Sequence, residues 1–299
     1  MDRRTPKLTV LALLLLASFA APAALHAQSV YSDTYVIPVV AHTPGAFGTT
    51  WMSDVIITNF HTTPLTVQLI VIESGENNSD NVFPLVGTNL NGSVTVAPNN
   101  TTILRDVLAG YNGRTSSSGA LILGGDQTFA VTSRTYSMSA NGVSNGGQTV
   151  TPARDFFENS TGRSDNNAVA YITGITNNAS TRTNIGFVAG TGSGAGATLA
   201  VQVTIRSSTG ASLGTKLVSI PAGNFTHTQF SVSSITNTPF DLGTAEFRIL
   251  GGLGSVLPYA SVIDNNSGNA MYIMGQFPAS TALGKGSLDS NVWRSLFNR

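Results

Sequence analysis

Leu199-Ala200-Val201-Gln202-Val203-Thr204-Ile205-Arg206 is the stretch that decides the fold class of this chain. Leucine, valine and isoleucine at positions 199, 201, 203 and 205 fall on one face of an extended strand, and mostly polar residues fall on the other. A period of two with one polar face is typical of an antiparallel sheet with one solvated side. The sequence therefore predicts an all-β fold.

The same pattern occurs twice along the chain. In the first half it consists of Leu65-Thr66-Val67-Gln68-Leu69, Val94-Thr95-Val96, Asn100, Leu123-Gly124-Gly125 and a run ending at Arg134-Thr135-Tyr136. In the second half it consists of Leu199 to Val203, Val218-Ser219-Ile220, Asn224, Leu250-Gly251-Gly252 and a run ending at Tyr259-Ala260-Ser261-Val262. Each copy covers about a hundred residues, which indicates two tandem domains of one fold.

Short strands separated by turns fill both copies. In the first copy the pattern predicts strands over residues 54–58, 65–72, 93–97, 120–123 and 128–136. No helical stripe lies between them, so each copy is predicted to be an antiparallel β-sandwich. The predicted boundaries are 28–150 for the first sandwich, 151–167 for a linker, 168–277 for the second sandwich and 278–299 for a C-terminal tail.

The first 27 residues have the composition of a signal peptide. Arg3, Arg4 and Lys7 precede an apolar run over residues 8–21, and small residues at 23–27 provide a cleavage site after Ala27. The run is shorter than the ~20 residues that span a bilayer. We expect an exported protein with no membrane span in the mature chain, located in the periplasm, outside the cell or on its surface.

The composition excludes several function classes. The net charge is zero and 10% of residues are charged, against about 25% in a typical protein, so no basic surface is available for nucleic acid. The chain contains no cysteine, so each domain must be held by core burial without disulfides.

Residues for catalysis are scarce. Beyond the signal peptide the histidines are His42, His61 and His227, which leaves little material for a zinc site or a histidine-based triad. We interpret His42 and His61 as surface residues, and we predict that the protein is not an enzyme. A glycoside hydrolase is a third alternative, because its two carboxylates can come from distant strands. The candidate carboxylates sit at predicted strand edges or turns, where structural roles are the simpler interpretation: Asp54, Asp106, Asp126 and Asp241.

The sequence provides candidate residues for two kinds of binding site. Trp51 and Tyr111 are candidates for stacking on sugar rings in a polysaccharide-binding module. Val94 follows Leu65 by 29 positions whereas Val218 follows Leu199 by 19, so the first copy carries an insertion over residues 75–92. Glu76 and Asp80 in that insertion are candidate calcium ligands, and no other cofactor is expected. The Asp264 to Asn269 stretch is interpreted as a turn.

The C-terminal tail is a candidate assembly segment. Leu288, Val292, Leu296 and Phe297 loosely fit a short helical stripe, so the tail could be a small helix, an added strand or disordered. Together with Trp293 they are the candidate residues for pairing with a neighbour's sheet.

Two motifs carry a resemblance to a known group. Trp51-Met52-Ser53-Asp54-Val55 with Ser133-Arg134-Thr135-Tyr136, and Arg182-Thr183-Asn184-Ile185-Gly186 with Tyr259 to Asn265, resemble uncharacterised exported bacterial proteins that carry two such units. The resemblance covers roughly residues 35–277. It implies tandem immunoglobulin-like β-sandwiches and export from a bacterium, and it brings no catalytic residues.

These observations favour a non-enzymatic secreted or cell-surface protein with a role in structure, adhesion or assembly. Its expected partners are other extracellular proteins or further copies of itself. Polysaccharide binding is the alternative.

Overall fold

The structure of the chain is a computed structural model that describes residues 32–45, 48–76, 78–79, 92–153, 155–159, 169–191, 198–252, 254–276 and 286–287. Several predicted features lie outside the described residues: the signal peptide, Asp80, and the tail residues Leu288, Val292, Trp293, Leu296 and Phe297.

The described chain is all-β, and all pairings between its strands are antiparallel. Residues 32–150 contain β1 Ser32–Pro44, β2 Thr50–Asn59, β3 Leu65–Glu73, β4 Asn78–Ser79, β5 Ser93–Val96, β6 Asn100–Leu104, β7 Ser117–Met138 and β8 Ser144–Val150. They are followed by β9 Asp155–Asn159. Residues 169–274 contain β10 Val169–Asn177, β11 Thr181–Gly190, β12 Leu199–Ser207, β13 Ser212–Ile220, β14 Asn224–Ser231, β15 Phe240–Gly251, β16 Gly254–Asp264 and β17 Ala270–Met274. Strand β18 is Gly286–Ser287, and short 3-10 turns occur at Tyr111–Gly113 and Val232–Ser234.

Three sheets organise these strands. The first has the order β5-β3-β7-β1-β2-β6, with β8 also paired to β7. The second has the order β10-β15-β12-β13. The third has the order β18-β9-β16-β11-β14-β4, with β17 also paired to β16.

Strand β7 is one continuous strand of 22 residues where the sequence pattern predicts two strands. Its first part pairs with β3 up to Gly125 and with β1 up to Phe129, and its second part pairs with β2 from Ala130 and with β8 from Ser133. The Gly124-Gly125 pair lies at the change of partners. Glycine permits close approach and bending inside a strand, so these residues turn β7 from one layer to the other without ending it.

The repeated strand order is confirmed by the pairing registers. The β3–β5 and β2–β6 pairs of residues 32–150 recur as β12–β13 and β11–β14 in residues 169–274. The two parts of β7 correspond to β15 and β16, and even the isolated bridge between Val36 and Ala153 recurs between Tyr171 and Gln276. We call residues 32–150 the first copy and residues 169–274 the second copy.

Each copy has two layers around its own apolar core. In the first copy, one layer contains β1, β3, β5 and the first part of β7, and the other contains β2, β6, β8 and the second part of β7. The first core includes Ile37, Val55, Leu69 and Leu121, and the second includes Ile172, Phe187, Val203 and Phe247.

The two copies meet through a third apolar cluster, which we call the junction. The first copy contributes Val36, Ile70, Ile72, Ala120 and Ile122, and it is joined by Ala153. The second copy contributes Val188, Phe225 and Leu257. These side chains are buried, and the described residues from Ser32 onward form one compact unit.

The copies present different layers to the junction. The first copy uses its β1-β3-β5-β7 layer, whereas the second uses β11, β14, β16 and β17, which correspond to the opposite layer of the first. We call the strands on the far side of each copy the outer layers: β2, β6 and the second part of β7 in the first copy, and β10, β12, β13 and β15 in the second. Strand β8 is not included because it contacts the second copy, where the Ser261 hydroxyl donates to Gln148.

Segments beside the copies add short strands to the third sheet. Strand β9 lies within the predicted linker and pairs with β16, and β18 lies within the predicted tail and pairs with β9. Strand β4, at the start of the insertion, pairs with β14 of the second copy. In the part of the chain that the structure describes, no helix has the length and apolar character needed to cross a membrane.

Candidate functional site

The predicted sugar-binding aromatics lie in different environments. Trp51 is half-buried in β2, and its indole lies against Gly45, where an added Cβ would be 3.0 Å from the ring. Tyr111 is 2% exposed and packs in the core of the first copy. Burial of Tyr111 argues against a sugar-stacking role for its ring.

Asp54 lies in the interior of β2, with its side chain only 1% exposed. The interpretation of this residue as lying at a strand edge or turn is therefore wrong. Alternation explains its position: Val55 and Ile57 point into the core, so Asp54 points out of the outer layer. Neighbouring side chains then cover it.

Both carboxylate oxygens of Asp54 accept several hydrogen bonds. Oδ2 accepts from Arg105 Nη1 at 2.9 Å and from Arg134 Nη2 and Nε at 2.8 and 3.2 Å. Oδ1 accepts from the backbone amide of Asp106 at 3.0 Å and from the Tyr136 hydroxyl at 3.1 Å. The Arg134 guanidinium also lies 4.6 Å from the Tyr136 ring centroid. We call these five residues the Asp54 cluster.

The contacts within the Asp54 cluster shift its pKa values. Burial acts to raise the pKa of Asp54, but the Asp106 amide, Arg134 and Tyr136 together hold it below its ordinary value. Burial and the nearby Asp54 charge raise the pKa of Tyr136. Asp54 is therefore ionised and Tyr136 neutral at neutral pH, so this carboxyl group has no proton to donate as a general acid.

A histidine extends the cluster. His42 Nδ1 lies 3.0 and 2.9 Å from the two carboxylate oxygens of Asp106, and the His42 side chain is 23% exposed. His42 is thus a half-buried residue that contacts Asp106, and its side chain is still partly exposed at the surface. The nearby Ser53 hydroxyl bonds to Thr135 Oγ1 at 2.7 Å and accepts from the Ala41 amide. Histidine and serine therefore have separate partners here, and the described contacts do not assemble a Ser-His pair.

The outer layer of the second copy carries a similar group. The side chain of Glu246 on β15 is 8% exposed, and it accepts from Arg206 Nε at 2.9 Å and from Arg248 Nη2 at 3.1 Å. Burial acts to raise the pKa of Glu246, but the two arginines lower it overall. We call Arg206, Glu246 and Arg248 the Glu246 cluster. Each outer layer thus contains one buried carboxylate held by two arginines.

A histidine and a tyrosine meet inside the junction layer of the second copy. His227 is fully buried, and its Nε2 lies 2.7 Å from the hydroxyl of Tyr259, which is also fully buried. Burial lowers the pKa of His227 to about 4, and the nearby carbonyl of Pro38 opposes this shift. The Pro38 carbonyl lies near the ring without forming a hydrogen bond to it. Among the described residues, His227 Nδ1 has no hydrogen-bond partner. His227 is therefore neutral at pH 7.

The candidate calcium ligand Glu76 faces a cation. Its Oε1 lies 3.7 Å from Arg114 Nη1, and the same guanidinium donates to the buried Glu73. Asn78 closes the turn by donating to the Glu73 and Glu76 carbonyls at 3.0 and 3.2 Å. Within the described ranges, no group of three or more His, Cys, Asp or Glu residues could hold a metal ion.

Three other acidic residues accept structural hydrogen bonds. Asp126 lies inside the continuous strand β7 and not at the predicted strand edge or turn, Asp241 lies at the start of β15, and Asp264 ends β16. Asp126 accepts from the Thr66 amide at 3.0 Å, and Asp241 accepts from Asn178 at 2.7 Å. Asp264 accepts from the amides of Asn266 and Ser267 at 2.9 and 2.7 Å, which confirms the turn prediction for this stretch.

The sequence matches no protein-family model and no curated protein. Among solved structures, the chain is similar to beta-glucuronidase 2 of Bacteroides uniformis covalently bound to cyclophellitol-6-carboxylate aziridine, with 12% identity and a TM-score of 0.21. The match covers 77% of this chain and 26% of that enzyme, so the chain spans about a quarter of its length. It is also similar to the C-terminal domain of the Streptococcus pyogenes antigen I/II-family protein AspA, with 9% identity, a TM-score of 0.17, and 81% and 99% of the two chains covered. Likenesses at these TM-scores carry no argument about fold or function.

Proposed function

We propose that this chain is a non-enzymatic, exported structural protein that assembles with further copies of itself or with other extracellular proteins. We further infer that each copy is an immunoglobulin-like sandwich and that export uses the signal peptide at residues 1–27. Two packed layers around each core support the first inference, and the cationic start followed by an apolar run supports the second.

The observation that carries the assembly role is the edge of β13. This strand of nine residues pairs with β12 on one side, and the described residues place no strand on its other side. An unpaired edge offers a row of backbone amides and carbonyls to an added strand. Lys216 lies near the middle of β13, but its ammonium lies 5.4 Å from the Phe230 ring centroid, on the inner face of the sheet. The lysine thus leaves the outward backbone groups accessible.

Two matched leucines test this role. Leu217 on β13 and Leu242 on β15 are both 57% exposed. We expect the exported protein to associate with increasing concentration in sedimentation experiments, and Leu217→Lys to weaken that association about tenfold or more, since a charge on an edge strand opposes strand addition. Leu242→Lys should associate like the wild type. A wild-type protein that remains monomeric at all concentrations, or equal behaviour of the two variants, would contradict the proposal.

Polysaccharide binding through Trp51 is the second candidate. The observation in its favour is that Trp51 is partly exposed and that its indole lies beside Gly45, which has no side chain to cover the ring. Trp51→Ala should abolish binding to an insoluble polysaccharide while leaving the melting temperature nearly unchanged. A wild-type chain that gives no binding on a glycan array would eliminate this candidate.

A further inference from the structure

The outer layer of the second copy corresponds, position by position, to the layer that the first copy buries in the junction. Ile70 pairs with Ile122 across β3 and β7, and the equivalent cross-strand pair of β12 and β15 is Thr204 with Glu246. Ile72 corresponds in the same way to Arg206. The same backbone surface is therefore apolar in the first copy and charged in the second.

The charged residues cover the sheet rather than extend from it. Thr204 and Glu246 are 6% and 7% exposed, because the arginine side chains lie over this face. Arg206 and Arg248 remain 36% and 32% exposed at their side chains. In a chain with 10% charged residues, this outer face carries two arginines. Arg206 stands where the first copy has Ile72, and Arg248 stands where it has Gly124. Threonine and serine would be enough to keep this outer face solvated, so solvation alone does not explain the two arginines.

The other outer face contains the same arrangement. Arg105 and Arg134 lie over the buried Asp54 and are 65% and 51% exposed. If a second chain extended the stack from head to tail, its outer layer would bring two guanidinium groups against the two of the first chain. These guanidinium groups and the carboxylates paired with them would lose their water in such an interface, and this loss of solvation opposes stacking.

We propose that the Glu246 cluster is an end cap, which closes the outer layer of the second copy against a further copy of this chain. Stacking of sheet faces then stops at two copies, and contacts between chains are left to strand edges. Repeat proteins need polar outer faces on their terminal units for the same physical reason: an exposed face that matches an internal interface would bind another unit.

The test restores the residues of the first copy on this face. In the variant Thr204→Ile, Arg206→Ile, Glu246→Ile, the three positions match Ile70, Ile72 and Ile122. We expect this variant to associate head to tail, with a dissociation constant at least about tenfold lower than that of the wild type in sedimentation experiments. Hydrogen exchange should be slower across β12 and β15 in that assembly. The same measurement separates this contact from edge assembly, because face stacking should slow exchange across β12 and β15, whereas edge assembly should slow it along β13.

The matched control adds the same apolar area without removing the cap. Thr173→Ile, Thr215→Ile and Ser219→Ile place three isoleucines at exposed positions of the same sheet and leave the Glu246 cluster intact. This control should associate no more tightly than the wild type. If it associates as strongly as the first variant, apolar area and not the cluster governs association, and the proposal is wrong. A first variant that loses stability but associates no more tightly than the wild type would also overturn it, because the cluster would then serve the sheet alone.

Discussion

Asp54 and Gly186 occupy equivalent positions in the two copies, and so do the residues opposite them on the neighbouring strand, Arg134 and Tyr259. In the first copy this position faces outward and holds an ion pair. In the second it faces the junction and holds a glycine beneath an aromatic ring. Removal of an ion pair from water costs several kcal/mol per charge, whereas a buried tyrosine gains from apolar contact. The type of residue at a strand position therefore depends more on whether solvent or the other copy covers it than on its place in the repeat.

The glycine and the tyrosine of the second copy depend on each other. A Cβ added to Gly186 would lie 2.5 Å from the Tyr259 ring and hydroxyl. The ring crosses β11 at this point, reaches the core of the first copy and stacks at 6.0 Å on Tyr272. A glycine at position 186 is therefore what lets the tyrosine join the two copies.

Truncation of Tyr259 and Arg134, which occupy equivalent positions, should have the largest effect on the free energy of unfolding and should distinguish the two copies most clearly. We expect Tyr259→Ala to reduce the free energy of unfolding by about 4 kcal/mol, because a fully buried ring is lost and His227 loses its partner. Arg134→Ala should cost about 1 kcal/mol, because the guanidinium is 51% exposed. Urea denaturation at pH 7 measures both. Equal losses of unfolding free energy would show that the junction is no more sensitive to side-chain truncation than the outer face.

Acid should destabilise the junction before it affects the Asp54 cluster. The pKa of His227 is lowered from 6.5 to about 4 in the folded chain, so between these values the unfolded chain binds the proton more tightly. Stability is therefore complete above pH 6.5 and falls as the pH decreases toward 4, by about 3 kcal/mol. Asp54 contributes its loss only below its unfolded pKa of 3.8. Urea denaturation across pH 4 to 7 measures the slope, and His227→Gln should flatten it. An unchanged slope in that variant would locate the titration elsewhere.

A smaller effect is expected when a methyl group is added beneath the ring of Tyr259. Gly186→Ala should cost about 2 kcal/mol, because the ring must move away from the new Cβ. Gly251 is the matched control, since nothing lies within 4 Å of a Cβ added there. Gly251→Ala should leave the free energy of unfolding unchanged or raise it by about 0.5 kcal/mol. Thermal melting of the two variants beside the wild type measures the difference, and similar melting temperatures would show that the ring has room to move.

Much of the fold was predictable, because alternation and turn residues act locally. The repeat, the strands at Leu65 and Leu199 and the Asp264 turn all follow from patterns within a few residues of one another. The continuous strand β7 was not predictable, since Gly124-Gly125 has the same composition as a turn.

The sites were harder to predict for a physical reason. Alternation tells which side chains of β2 share a face, so it places Asp54 with Ile56 and Thr58 and not with the core. It does not tell whether solvent, an arginine or the other copy covers that face. The one available signal was the motif pair itself: aspartate in one strand motif and arginine in the other are complementary charges, and they prove to be cross-strand neighbours.

The two buried carboxylates provide the finest comparison between the outer layers. Asp54 accepts five hydrogen bonds from four residues, whereas Glu246 accepts two from its arginines. We expect Asp54→Asn to cost about 1.5 kcal/mol at pH 7, since the amide cannot accept from all these donors. Glu246→Gln should cost about 0.5 kcal/mol, because its arginines are partly solvated.

The pKa of each carboxyl group is lowered by folding, so the stability that its charge contributes is present above the unfolded pKa and is lost as the pH falls through the folded value. Urea denaturation repeated at decreasing pH should therefore bring each variant closer to the wild type. If the deficit of Asp54→Asn stays constant down to the lowest pH at which the chain folds, its cost comes from geometry and not from the carboxylate charge.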